Sequence, residues 1–147
     1  MTRDPEVTSR IMASVKSSGT RPEMSLRREL HRRGLRYRVS NSLIGRPDLV
    51  FGSAKVACFV DGDRWHGNGW RLRGLACFED EFQHSNSEFW KAKIRRNIAR
   101  DQAVTASLEA AGWRVIRVWA SDVERDVSKT ADLIEMAVRG SGGGAGR

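Results

Sequence analysis

Asp48, in the run Gly45-Arg46-Pro47-Asp48, stands where an apolar strand pattern begins, and Asp61 stands where the next one ends. A carboxylate at a strand end is rigidly placed, which suits a hard divalent cation that prefers oxygen ligands. If the two apolar runs form a hairpin, Asp48 and the backbone carbonyl of Val60 converge on one spot, with Asp61 as a further donor. Mg²⁺ asks little more of a protein, because it keeps several waters and takes phosphate oxygens from its substrate. Mn²⁺, with similar ligand preferences, could substitute. Read separately, Pro47-Asp48 is a turn and Asp61-Gly62 a strand exit; their pairing across a hairpin is what points to a site.

His66 lies in the glycine-flanked run Asp61-Gly62-Asp63-Arg64-Trp65-His66-Gly67, off any apolar stripe. A neutral imidazole can take a proton from water near pH 7 when a partner fixes its tautomer, and Asp101 on a long helical pattern is the candidate partner. Without such a partner, a loop histidine is a surface group. His31 and His84, in a basic helix and a polar loop, carry no comparable signal. Trp65, Trp70 and Trp90 are interleaved with cations, a pattern that can stack on bases or wedge between base pairs. For Trp65 and Trp90 a core role and a DNA role stand level, whereas Trp113 and Trp119 read as core. Arg46, Arg64 and Lys93 are the neighbouring cations assigned to DNA. There is no Cys-x-x-Cys pair, and Cys58 falls inside an apolar strand, so no zinc is expected. Neither a Walker-type glycine loop nor a convincing serine or cysteine nucleophile is present.

The elements that must position these groups follow from the patterning. Asp4-Pro5 opens a helix expected over 4–16 within an N-terminal helical segment at about 4–19, and Thr20-Arg21-Pro22-Glu23 is a capping box for a second helix that Gly34 stops. Arg27, Arg28, Arg32 and Arg33 make that helix basic. Leu35 to Val39 alternates as a strand, and Asp48–Phe51 with Val56–Val60 forms a hairpin around Gly52-Ser53-Ala54-Lys55. Residues 61–87 form a long aperiodic loop, of a length that is more often functional than idle. A helix over 87–111, a strand over 113–119 and a last helix over 123–138 complete the order ααβββαβα. Residues 1–139 read as one domain and 140–147 as a flexible Gly-rich tail. The class is α/β, with a central mixed sheet flanked by helices.

At 147 residues, with 39% hydrophobic and 30% charged residues, the chain can bury a core without disulfides. Its two cysteines suit a reducing, cytoplasmic setting, and the opening residues lack a signal-like apolar core. No apolar run has the length of a membrane span. The net charge of +8 favours a polyanionic partner, most commonly nucleic acid.

Taken in order, the motifs are specific as a set. They are Pro-Glu-x-x-Leu-Arg around Glu23, Gly-Arg-Pro-Asp at 45–48, Phe-Val-Asp-Gly-x-x-Trp-His-Gly at 59–67, Glu-Phe-Trp at 88–90, Asn-x-x-Arg-Asp at 97–101 and Gly-Trp-Arg-Val at 112–115. Over about residues 5–138 the chain resembles the very-short-patch repair mismatch endonucleases. The resemblance implies a restriction-endonuclease-like fold and Mg²⁺-dependent nicking beside the thymine of a T:G mismatch in double-stranded DNA. It matches Asp48 with the metal-binding aspartate, Val60 with the carbonyl that joins it and His66 with the water-activating histidine. Asp101 matches that histidine's support, and Glu23 an acidic residue that contacts metal-bound water. Trp65 and Trp90 match aromatics that enter the base stack. The better-known members hold a structural zinc where this chain has Asp63, Asn68, Trp70 and Ser121, so no such zinc is expected. Arg64 replaces an aromatic residue, which bears on which mismatch is read. A mismatch without two-fold symmetry implies a monomer. The alternatives are a nuclease of this fold with a different mismatch, modified-base or sequence target, and a non-catalytic DNA-binding module.

Overall fold

The computed structural model describes residues 19–82 and 87–145. The helix expected over 4–16 and His84 lie outside them. Helix α1 (Arg21–Arg32) starts at the capping box: Thr20 is the N-cap and accepts the Glu23 amide, while the Glu23 carboxylate reaches one residue further back, to the Gly19 amide at 3.0 Å. Gly34 ends it with φ +86°, a left-handed conformation that favours glycine. Leu26 and Leu30, four apart on one face, are completely buried.

Strands β1 (Leu49–Phe51) and β2 (Val56–Asp61) form the antiparallel hairpin, with Leu49 opposite Cys58 and Phe51 opposite Val56. Between β2 and the next strand lie the single-turn helix α2 (Gly69–Leu72), a 3₁₀ turn at Phe78–Glu81 and the long helix α3 (Ser87–Ala110). Strand β3 (Arg114–Trp119) then pairs parallel to β2, with Phe59 opposite Arg117 and Asp61 opposite Trp119. Helices α4 (Ala120–Arg125) and α5 (Val127–Ala145) follow. The described residues thus form a mixed sheet in the order β1-β2-β3, flanked by helices, which is the α/β class expected.

The apolar run Val56–Val60 is continuous because the sheet is covered on both faces. Val56 and Cys58 face a core built with Leu26, Leu30, Val123 and Ile134 from α1, α4 and α5. Ala57 and Phe59 face a smaller cluster with Leu108 of α3. Arg33 pins α1 to α5: its guanidinium reaches Glu29 at 2.7 Å, Asp132 at 2.6 Å and Glu135 at 3.1 Å.

Three expectations are corrected. Leu35–Val39 is no strand but a single bridge from Arg38 to Val50, because Leu35 is buried in the helical core and the Tyr37 hydroxyl donates to the Arg27 carbonyl of α1 at 3.1 Å. The last helix is two helices, divided at Asp126, whose carboxylate accepts the Lys129 amide at 3.0 Å and so starts α5 afresh. The flexible tail expected from residue 140 is helical to Ala145. Each glycine there costs about 1 kcal/mol relative to alanine, but extending an existing helix avoids the cost of nucleation.

Ile134→Ala removes a fully buried side chain where α5 meets the sheet. It should lower the unfolding free energy by about 2–5 kcal/mol, read from urea denaturation at an unchanged m-value.

Candidate active site

The hairpin does bring Asp48 to the end of β2. Extending the β1–β2 register by two residues puts Pro47 opposite Val60, and proline has no N–H to give the Val60 carbonyl. The Val60 amide turns instead to the Asp48 carboxylate, donating at 2.7 Å, while the Pro47 carbonyl accepts from Asn41 at 3.0 Å. Asp61, one residue on, is 6% exposed.

The loop after β2 is held on α3. The His66 amide donates to the Gly62 carbonyl at 3.2 Å, and Asn97 of α3 donates to the Trp65 carbonyl at 3.0 Å. Gly67, at φ +92°, packs so closely on Ile98 that a Cβ would fall 2.6 Å from its Cδ1. In this pose the His66 ring presents Nδ1 to the Asp101 carboxylate, with Asp61 Oδ1 at 3.9 Å. A carboxylate has no proton to donate, so Nδ1 carries it and Nε2 is the acceptor nitrogen.

Glu23, Arg46, Asp48, Val60, Asp61, His66 and Asp101 all line one open cleft of about 1070 Å³. The negative charge there is costly. Burial, opposed by the Val60 amide and reinforced by the charges of Glu23 and Asp61, pushes the Asp48 carboxyl up to about 7. Asp61 is also raised by burial, against the pull of His66 and Arg117. Two groups of donors could hold a cation. Asp61, His66 and Asp101 offer ligand atoms within 4.8 Å of one another, although Asp101 already holds His66 and both Asp61 oxygens meet Arg117 at 3.1 Å. Asp48 with the Val60 carbonyl offers hard oxygens whose crowded charge a divalent ion would relieve, and this donor set fits Mg²⁺ better.

The aromatic pair lies beside the cleft. Trp65 and Trp90 meet at 5.9 Å with their planes 52° apart, both half-buried, with Arg64 over Trp65 at 5.7 Å and Lys93 over Trp90 at 5.5 Å. Arg64 and Trp90 also line a smaller cavity of about 200 Å³ with Glu81 and Ile94. Trp113 and Trp119, expected in the core, are only half-buried: Trp113 packs on the Leu108 cluster, and Trp119 lines a separate cavity beside His66. Arg117 carried no sequence signal, because an arginine in an alternating strand reads as solvent-facing.

A family model described as DNA mismatch endonuclease Vsr matches residues 2–72. The type II nicking enzyme V.NmeDIP of Neisseria meningitidis serogroup C is 44% identical over 136 residues, covering 92% of this chain and 88% of that protein. The chain belongs to the Vsr DNA mismatch endonuclease family. The nicking enzyme V.HpaIIP of Haemophilus parainfluenzae is 39% identical, covering 91% of this chain and 92% of its own length. DNA mismatch endonuclease Vsr of Escherichia coli K12 is 32% identical, covering 79% and 70%. The mixed sheet with flanking helices accords with the restriction-endonuclease-like fold of this Vsr-family chain.

Asp63, Asn68 and Ser121, three of the four residues expected in place of zinc ligands, meet here as a hydrogen-bonded knot. Asp63, 6% exposed, accepts from the Asn68 side chain at 2.7 Å, the Ser121 amide at 2.9 Å and the Ser121 hydroxyl at 2.6 Å. Trp70, the other residue of that expectation, donates its ring N–H to the Gly67 carbonyl at 3.0 Å. The knot ties the loop carrying His66 to the start of α4. Asp63→Ala leaves those donors without an acceptor and should cost about 1–3 kcal/mol in urea denaturation, with faster amide exchange over 62–68.

A carboxyl raised to about 7 when folded, against ~4 when unfolded, binds more protons in the native state between those values. Its contribution to stability is full below about pH 4 and is lost as pH rises through about 7. Metal-free Asp48→Asn should therefore melt at least about 3 °C above the unchanged chain at about pH 8, a gap that closes towards about pH 4; calorimetry in chelator reads both.

Proposed function

We propose that this chain nicks one strand of double-stranded DNA beside the thymine of a T:G mismatch, in the service of mismatch repair. The convergence of Glu23, Asp48, Val60, Asp61, His66 and Asp101 on one cleft carries the reading. Asp48 and the Val60 carbonyl would hold Mg²⁺, which supplies Lewis-acid polarisation of the phosphate and neutralises developing charge. Asp61 is a third oxygen donor within reach and would join only by giving up a contact to Arg117. Glu23, buried with one oxygen on the Gly19 amide, adds a fixed acceptor for water in the cleft.

His66 accepts the proton of the attacking water at Nε2 as the water oxygen bonds to phosphorus and the bond to the leaving sugar oxygen breaks. Asp101 holds the ring and balances the charge it acquires. Arg46 at the cleft and the net charge of +8 draw the phosphate backbone, so binding weakens with salt. Trp65 and Trp90, with Arg64 and Lys93 on their faces, engage the base step at the weak pair. One chain serves one site, because the mismatch has no two-fold symmetry, and the setting is the bacterial cytoplasm, at the nucleoid. Among the described residues no helix is long and apolar enough to cross a membrane.

Arg64, stacked on Trp65 in place of an aromatic, favours a second reading in which the same site serves another mismatch or a modified base. End-labelled duplexes that differ at one base pair separate the two. With Mg²⁺ or Mn²⁺ a single nick confined to the T:G duplex is expected, and chelation abolishes it. Asp48→Ala should lose nicking while retaining DNA binding, and His66→Ala should slow single-turnover nicking about 10²-fold or more. Full activity in Asp48→Ala sinks the metal assignment, and binding with no metal-dependent cleavage of any duplex favours a non-catalytic module.

A further inference from the structure

We infer that Arg117 is a positioning residue for strand cleavage: its guanidinium joins Asp61 to Asp101 and thereby holds the Asp101–His66 pair in its working pose. The inference rests on the reading of His66 as the base.

All three guanidinium nitrogens of Arg117 are engaged, on two elements other than its own strand. Nη1 donates to both Asp61 oxygens at 3.1 Å and stands 3.7 Å from Asp101 Oδ1. Nη2 donates to the Asp101 backbone carbonyl at 3.2 Å, and Nε donates to Thr105 Oγ1 at 2.8 Å. The flat face of the group lies 4.0 Å from the centre of the Phe59 ring, its register partner in β2. The guanidinium therefore sets the distance between the end of β2 and one turn of α3, and Asp101 is on that turn.

Electrostatics gives this link its importance. Asp61 and Asp101 both approach Nδ1 of His66, and two carboxylates this close repel each other. A guanidinium can neutralise both while hydrogen-bonding the Asp61 carboxylate and the Asp101 backbone carbonyl, because it is a planar fork with five N–H donors. A lysine ammonium in the same place is a point charge and cannot span Asp61, the Asp101 carbonyl and Thr105 together. The side chain is 21% exposed, open enough for a small cation to enter if the arginine were cut back.

The test measures single-turnover nicking and DNA affinity side by side for Arg117→Gly, Arg117→Lys and His66→Ala. Both Arg117 variants should nick about 10- to 100-fold more slowly at saturating duplex, with Kd for the duplex within about threefold of the unchanged chain. Millimolar guanidinium should restore Arg117→Gly at least about tenfold, toward the rate lost, and should leave His66→Ala unchanged. Nicking by Arg117→Gly at the unchanged rate overturns the inference. So does a loss without guanidinium rescue in a protein that melts normally, or a loss confined to Kd. Should Arg117→Gly fail to fold, Thr105→Val stands in. It removes the Nε acceptor alone and should slow nicking about 10-fold without changing Kd, an unchanged rate again overturning the inference. Normal nicking by His66→Ala would remove the base reading itself, a result distinct from any outcome at Arg117.

Discussion

Glu23, Asp48, Asp61 and Asp101 share a single cleft, and keeping four carboxylates together is the constraint around which the rest of the molecule is arranged. Each has a specific counterweight from a different part of the chain. Glu23 takes the amide that precedes its own helix, Asp48 takes the amide of Val60, Asp61 takes the fork of Arg117, and Asp101 takes the imidazole of His66. Two of the four counterweights depend on β2, which supplies the Val60 amide and registers Arg117 on the neighbouring strand. A strand covered on both faces by apolar cores is rigid enough for that task, whereas a solvent-facing strand would let the charges relax apart.

The loop that carries Trp65 and His66 packs on Ile98 and Trp90 of α3 and is fastened further by polar contacts. Asn97 holds it from α3, and Asp63, Asn68 and Ser121 hold it from the start of α4. A buried carboxylate that accepts three hydrogen bonds is a strong fastening, because each bond is charge-assisted and shielded from water. Trp65 and His66 are consequently adjacent residues on a segment fixed at both ends.

Much of this was legible in the sequence where a pattern repeats or a chemical rule is strict. The capping box at Thr20–Glu23, the hairpin, the long helix and the strand after it follow from local pattern, and the order of motifs singles out Asp48, His66 and Asp101, which line one cleft. What was hidden depends on contacts between distant residues. The alternation of Leu35–Val39 was genuine, but Tyr37 bonds to α1 rather than to a neighbouring strand. Helix α2 and the 3₁₀ turn are too short to show a period. Arg117 declares itself only when Asp61, Asp101 and Thr105 are brought to one guanidinium, and Asp63 only when Ser121 arrives from the far side of β3.

The proline at position 47 works through an atom it does not have. Opposite Val60 every other residue would present an amide hydrogen, continue the ladder by one rung and occupy the carbonyl that the proposed chemistry needs free. A replacement would gain that rung only by emptying space that the fully buried ring fills, so one residue leaves the ladder unfinished and the interior filled.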